Sequence, residues 1–580
     1  MKKILFMMSV LASLFITGCS QEEVTPPGGE DDGGSNTSYM AVNLMSSDVT
    51  GSRAAAGYED GSETENKVEM VRFYFFTDNG LIANVKLLNG SYVNFYDWTP
   101  ANDDQQDDKD TDDTESILNA TIVINTKQGD KLPQGIVAVL NPPKDDEGNI
   151  ALGSNSKKLS DLKDIARDYV DYETDGDKGL TSKGKFVMFN SVYGGTNKTE
   201  ICAVRIETNH LQKTEKDAKK NPVTIYVERS VAKVSVALGE NVKAASTTTG
   251  LALNDKEGNP LTVGGNQVYL KLSGWDLTAE TTEGRLVKAI DPINWTSDWW
   301  NGTGAFEHRS FWAINSKNAT NKYYDYSPIT NSFTIGETAG ASLYTNENAL
   351  DYDRTAPIKR TKVIVKGTLC KSDGSAFTIV RHMGAHFADT YSETPSANLP
   401  ELKKNILSQL STQYKYYFGD VNSRTEIGTD DLQIVVAEQK DEEGSKNNCY
   451  VYAQLTEDAA KKTWYTSSEK SETGTVTAAD INEKLKDKSV VDWALVWKSG
   501  MTYYYYEIVH HGTGINATKG VVRNHIYKTT VTAIAGLGTP VYDPTKTIYP
   551  EKPDDNDHYI AAEINILSWR IVENGYKLEW

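Results

Sequence analysis

The sequence predicts a mainly β protein assembled from β-sandwiches, with only a few short helices. Three observations point there. Short apolar runs recur along the chain between Gly, Asn and Asp turns, the pattern of sandwiches and not of βαβ units. The 31 Tyr and 11 Trp, set against 17 Pro, suit strands rich in aromatic positions. Helical periodicity is confined to stretches at 160–169, 400–413 and 478–486. At 580 residues, 38% of them hydrophobic and 24% charged, the chain has room for two to four domains with real cores. Its 60 Lys and Arg face 80 Asp and Glu, a net charge of −20 that repels phosphate backbones and argues against a nucleic-acid partner. After the N-terminus there is no apolar run of 18 residues, so no internal membrane span is expected.

The N-terminus sets the compartment. Lys2 and Lys3 precede an apolar run, Ile4 to Ile16, that is too short to cross a bilayer, which is a secretory signal. It ends in Ile16-Thr17-Gly18-Cys19, which resembles a bacterial lipobox: an aliphatic residue, two small residues, and the Cys that is acylated. Several acyl chains on Cys19 exceed the two hydrophobic anchors that stable membrane attachment needs. Residues 1–19 are therefore expected to be a lipoprotein signal peptide. The other cysteines, Cys202, Cys370 and Cys449, are odd in number and far apart, so they form no complete disulfide framework; buried thiols or a single bridge both remain open.

Residues 20–38 are polar and rich in Gly and Pro, a flexible tether. In the next run, Met40, Val42 and Leu44 share one side of a short strand. Small residues follow and surround a lone Arg53 in Gly51-Ser52-Arg53-Ala54-Ala55-Ala56-Gly57, an accessible site for an Arg-specific protease or simply a solvated loop charge. Strands are predicted at 68–76, 118–125, 136–141, 186–189 and 201–207, with a paired run at 223–227 and 231–238. The acidic stretch from Asp103 to Glu115 has the Asp108-x-Asp110-x-Asp112 start of a calcium loop. Its sixth position is Asp113 and its twelfth Asn119, so it reads as a solvated loop. A domain boundary is placed near residue 240, giving an N-terminal domain at 54–240 and a C-terminal one at 241–550.

The second half repeats the style, with strands predicted at 268–272, 311–313, 362–369, 377–381, 432–437, 450–455, 494–498, 503–510 and 525–534. Pro540 to Asp557 is a polar spacer with four prolines. Beyond it Ile560, Ala562, Ile564 and Ile566 alternate with Ala561, Glu563 and Asn565. The phase changes near Trp569, and Tyr576, Leu578 and Trp580 alternate with Lys577 and Glu579. Such a final strand completes its own sandwich or pairs elsewhere. The alternation alone supports both.

Chemistry finds little to stand on. No nucleophile elbow, phosphate loop or zinc-protease motif is present. His382 and His386 stand four apart, but their surroundings read as strand and Gly384 breaks a helix; His510-His511-Gly512 reads as a turn. No catalytic residue, metal ligand or cofactor is nominated.

Taken in order, these pieces resemble the Bacteroidales-type (type V) fimbrial subunits, in the branch of major short-fimbria subunits. The resemblance rests on the lipobox at Cys19, the strand–Arg53 segment, and the runs at 67–76 and 136–141. It also rests on Val227-Glu228-Arg229-Ser230-Val231-Ala232-Lys233-Val234, Leu272-Ser273-Gly274-Trp275, His308-Arg309-Ser310-Phe311-Trp312-Ala313 and Tyr344-Thr345-Asn346-Glu347-Asn348. Its most specific stretch is Val522-Arg523-Asn524-His525-Ile526-Tyr527-Lys528, followed by Gly536-Leu537-Gly538-Thr539-Pro540 and Ile566-Leu567-Ser568-Trp569.

The resemblance implies two transthyretin-like β-sandwich domains and a C-terminal donor-strand arm at 551–580. It implies a lipoprotein precursor at the outer membrane, cut by an Arg-specific surface protease between Arg53 and Ala54. That cut removes a propeptide, 20–53, together with its strand. A neighbouring copy then fills the opened groove with Ile560, Ala562, Ile564, Ile566, Trp569, Tyr576, Leu578 and Trp580. Expected partners are further copies head-to-tail, accessory and anchor subunits, the protease, and host or bacterial surface ligands. The mature form belongs to an extracellular fimbrium that supports adhesion. The competing reading is a surface-anchored glycan-binding lipoprotein using Trp299, Trp300 or Trp312 as platforms. It needs neither Arg53 nor a free-ended final strand.

Overall fold

The structure, a computed structural model, describes residues 36–46, 61–77, 80–86, 92–101, 105–107, 116–126, 132–145, 147–168, 181–182, 185–190, 203–255, 257–288, 315, 319–348, 359–437, 439–440, 446–447, 450–469, 474–510, 520–550, 559–568 and 571–574. Among them the chain is mainly β, as the sequence predicts, with short helices.

The N-terminal half comprises strands β1 (Asn36–Ser46), β2 (Val71–Phe76), β3 (Phe95–Trp98), β4 (Ser116–Thr126), β5 (Gly135–Leu140), β6 (Met188–Asn190) and β7 (Val223–Arg229). Helices α1 (Glu63–Asn66), α2 (Leu159–Lys163) and α3 (Glu215–Ala218) lie between them. The strands form one sheet in the order β4-β1-β7-β6-β5-β2-β3, with Val85–Lys86 and Tyr92–Val93 beyond β4. β2 and β5 are buried along their whole length, Arg72 of β2 included through its pairing with Asp97 at 2.6 Å. They share a single apolar core with Met40, Val42 and Leu44 of β1 and with Ile122 and Ile124 of β4.

The C-terminal half is a sandwich of two sheets. One holds β8 (Val231–Leu238), β13 (His525–Ala535), β14 (Tyr559–Ser568) and β15 (Ile571–Asn574), with β10 (Ser342–Asn346) on the far side of β8. The other holds β9 (Tyr269–Thr278), β11 (Lys362–Cys370) and β12 (Met501–Glu507). Val234 and Val236, Trp275, Val363 and Val365, Tyr504 and Tyr527 fill the space between. Trp275 is seated by a bulge at Gly274, where a Cβ would stand 2.8 Å from the Thr330 backbone.

Between β11 and β12 the chain makes a third apolar core that the sequence analysis did not anticipate. Its sheet runs Ala385–Asp389, Thr378–His382, Ala494–Trp497, Tyr450–Leu455, Leu432–Val436. Helices α4 (Pro400–Leu410) and α5 (Ala478–Lys486) add Leu402, Ile406, Leu410, Ile481 and Leu485 to that core. Asp389 caps α4 by accepting from the Leu402 N–H at 2.9 Å.

Two expectations are corrected. The helix predicted at 160–169 stops at Lys163, and Ala166–Asp168 is a strand paired with Glu283–Arg285 of the other half. Tertiary pairing overrides local periodicity there. The runs at 223–227 and 231–238 are not a hairpin. Only Ser230 separates β7 from β8, too little chain to turn, so one extended run passes through both halves.

That joint is fastened by buried charge. The Glu65 carboxylate meets Lys233 Nζ at 3.0 Å and accepts from the Tyr344 hydroxyl at 2.6 Å, while Arg229 Nε donates to the Glu65 carbonyl at 3.0 Å. Lys288 pairs with Glu228 at 2.9 Å, and Leu286 and Val287 beside it plug into the N-terminal core. Arg523 Nε donates to Glu347 at 2.9 Å, and the rest of its guanidinium donates to the carbonyls of Leu286 and Arg285 at 3.1 and 2.7 Å.

Burial alone would raise the Glu65 pKa, but Lys233, the Tyr344 hydroxyl and Arg229 outweigh it and lower the value from 4.5 to about 2. A carboxyl with a depressed folded-state pKa adds stability above its unfolded value and loses it on acidification. Glu65 is expected to contribute about 3 kcal/mol at neutral pH, lost as the pH falls from about 4.5 to 2. Denaturant titrations from pH 6 to 2 check this against Glu65→Gln, which should lack that component; equal acid sensitivity in both proteins overturns it.

Candidate functional site

The site the fold presents is the bed of β1. Strand formation follows from the sequence: Met40, Val42 and Leu44 alternate with smaller or polar residues, and all three are essentially inaccessible to solvent. β1 is an interior strand. It runs antiparallel to β4, from Asn36 opposite Thr126 to Met45 opposite Ile117. It runs parallel to β7, from Val42 beside Val223 to Ser46 beside Val227.

Its start is also held by an antiparallel bridge to Gln212. Tyr39 N–H donates to the Gln212 carbonyl at 2.7 Å, and Gln212 N–H returns the bond at 2.9 Å. Helix α3, capped by Thr214 through the Asp217 N–H at 3.2 Å, packs on β1. Ala41, on the face of β1 opposite Met40, Val42 and Leu44, is buried, as is Ala218 of α3, and neither belongs to the apolar core. Gln212 and α3 escaped the sequence analysis, although Thr214-Glu215-Lys216-Asp217 is a legible capping signal.

Taken out of its bed, β1 would leave two long rims of unpaired N–H and C=O groups on β4 and β7, and three empty apolar pockets. Between β1 and the next described element, α1, the chain runs through 47–60, the segment that contains Arg53.

The predicted donor residues are partly described. Ile560, Ala562, Ile564 and Ile566 lie in β14, where their backbones pair antiparallel with Ile534, Val531, Thr529 and Tyr527 of β13 in the same chain. Trp569, Tyr576, Leu578 and Trp580 lie outside the described residues, as do Cys19, Arg53 and Ala54. So do Cys202, Cys449, Trp299, Trp300 and Trp312. Cys370 is a buried free thiol whose Sγ donates to the Tyr269 carbonyl at 3.5 Å.

The spacer predicted from Pro540 is shorter than its composition suggests. Val541 and Ile548 are buried beside Tyr326 and Ile364, and Ile548 N–H donates to the Tyr324 carbonyl at 2.9 Å. Lys362 Nζ donates to the Pro550 carbonyl at 2.9 Å. The chain stays docked on the sandwich as far as Pro550.

The histidines singled out by spacing do not converge. His382 Nε2 lies 3.1 Å from the Asp492 carbonyl, whereas His386 packs against the Trp497 ring. His510 Nδ1 lies 3.0 Å from the Tyr527 hydroxyl inside the sandwich. Among the described residues no three His, Cys, Asp or Glu side chains gather as a metal would require.

Comparison with known proteins gives one sequence match. Residues 496–575 match the family described as major fimbrial subunit protein type IV, fimbrillin, C-terminal. No curated protein matches the chain. Among solved structures, the chain is similar to a fimbrilin from Porphyromonas gingivalis at 10% identity and a TM-score of 0.32, covering 90% of this chain and 97% of that one. It is also similar to the tip fimbrial protein Mfa3 of Porphyromonas gingivalis at 11% identity and a TM-score of 0.31, covering 92% of this chain and 100% of that one.

Proposed function

We propose that this chain, which carries a fimbrillin C-terminal region over residues 496–575, is a structural stalk subunit of a cell-surface fimbrium and not an enzyme. It is exported as a lipoprotein acylated on Cys19 and cut between Arg53 and Ala54. It then polymerises when the arm at 551–580 of one copy fills the bed of β1 in the next.

One observation carries the reading: the first described strand is an interior strand of its sheet, buried and paired on both sides. Interior strands are ordinarily held in place by the connections at both ends. This one is followed by the segment that holds Arg53, so a cut there separates it from the chain that continues into α1. An emptied bed offers ladder hydrogen bonds and apolar pockets together, the requirements of strand addition. Until the cut, β1 keeps the bed occupied, so assembly waits for export and proteolysis. Because donor and bed lie in different halves of the molecule, the contact is heterologous and propagates into a filament. Accessory and anchor subunits and surface ligands are the further partners on this reading.

The experiment is the N-terminal sequence and intact mass of material sheared from cells, with unheated gel electrophoresis beside it. A start at Ala54 and a heat-sensitive ladder are expected, and Arg53→Ala should abolish both. An acylated Cys19 start with a single monomer band would instead leave an anchored binding lipoprotein.

A further inference from the structure

The C-terminal arm repeats the first strand. Set over one another, Tyr39-Met40-Ala41-Val42-Asn43-Leu44 and Tyr559-Ile560-Ala561-Ala562-Glu563-Ile564 match in chemical type at every position: aromatic, large apolar, Ala, small or branched apolar, polar, large apolar. The structure shows why that order matters. Met40, Val42 and Leu44 enter the core, while Ala41, on the opposite face, is buried where α3 packs. Ala41 is 5% exposed, so a larger side chain at this position would have to displace what covers it.

We propose that Tyr559–Ile566 of a second copy occupies the bed of β1 in a single register and in the direction of β1, with Ala561 in the place of Ala41 beneath α3. This rests on the donor-strand reading above and specifies it. Ile560 then takes the pocket of Met40, Ala562 that of Val42 and Ile564 that of Leu44. Glu563 takes the register position of Asn43, opposite Asn119.

The alternatives meet physical obstacles. A shift by one residue turns the three isoleucines out of the core. A shift by two brings Glu563 or Tyr559 beneath α3, burying a charge without a partner or a ring where a methyl fits. Reversing the strand keeps Ala561 in place but sends His558 into the pocket of Leu44. The one imperfect fit is Ala562, which underfills the space of Val42. Ala562→Val should therefore give a more heat-resistant ladder.

Cross-linking between copies tests the register. Asn43 lies opposite Asn119 of β4, and Asn119 is exposed. In the proposed register Glu563→Cys of one copy therefore faces Asn119→Cys of the next, at a spacing between antiparallel neighbours that a disulfide spans. Registers displaced by two would instead bring Glu563→Cys opposite Thr121→Cys or Ile117→Cys, the partners of Ala41 and Met45. Oxidised fimbriae should give a covalent ladder with the Asn119 pair, and Ala561→Trp should leave cleaved monomers. A ladder through Thr121 or Ile117, or assembly by Ala561→Trp, overturns the register while donor-strand exchange stands. Polymer that cross-links at none of the three positions overturns the register and direction, whereas polymer from a chain truncated after His558 overturns donor-strand exchange itself.

Discussion

A chain truncated after His558 is expected to be exported and cut normally yet to remain monomeric. The sandwich should survive, because its core lies between β8 and β13 on one side and β9, β11 and β12 on the other. What disappears is the joint. Burial of Ile560, Ile564 and Ile566 supplies roughly 1.5–3 kcal/mol each before ordering costs, and the arm alone brings the backbone ladder for the rims of β4 and β7. No other described segment carries the same alternation beside a detachable end. Size-exclusion chromatography and unheated gels of the processed protein are the check. Long polymers from the truncated chain would show that another element makes the contact.

The second large effect lies far from the bed. Arg523→Ala should destabilise the fold by about 3–5 kcal/mol, the usual consequence of removing one member of a buried pair. Arg523 is 1% exposed, and its loss strands the Glu347 carboxylate and two backbone carbonyls in a buried joint. Adding Glu347→Gln to that variant should restore part of the loss, because it removes the uncompensated charge. Denaturant unfolding of the three variants measures both statements. A cost under about 1 kcal/mol for Arg523→Ala would mean that water reaches the joint and replaces the guanidinium.

The second of these results concerns the region around Val522-Arg523-Asn524-His525. In the structure this stretch is a bolt between the halves: the Asn524 side chain accepts from the Arg229 N–H at 3.3 Å, and its own N–H donates to the Val231 carbonyl at 2.8 Å. Asn524 adopts a left-handed conformation there, with φ of 57°, which Asn tolerates better than most residues. The segment that resembles a fimbrial subunit most specifically thus serves the rigidity of the monomer, while the arm at 551–580 is proposed to serve assembly.

Much of this was legible in the residues because local chemistry leaves a period behind. The runs at 231–238 and 450–455 and the helix at 478–486 became the elements β8, Tyr450–Leu455 and α5 with unchanged bounds, since each alternates cleanly against its own core. The burial of Met40, Val42 and Leu44 and the apolar face of α4 were equally plain. Lys403 was not: it lies buried in the face of α4, its ammonium donating to the Ser396 carbonyl at 3.3 Å, and no periodicity announces a lysine turned inward to satisfy a backbone.

What the sequence by itself determined, then, is the kind of element most stretches form, and that the chain has a lone Arg beside an early strand and an alternating tail. Tertiary structure decided which strands are neighbours. Nothing in Asn36–Ser46 states that β4 and β7 will flank it. Nothing in Ala166–Asp168 states that a strand more than a hundred residues away will pull it out of a helix. The reason is that periodicity records which face of a segment is buried, whereas pairing is a choice among many strands of similar pattern, settled by the packing of the whole core and by joints such as Glu65–Lys233 and Arg523–Glu347.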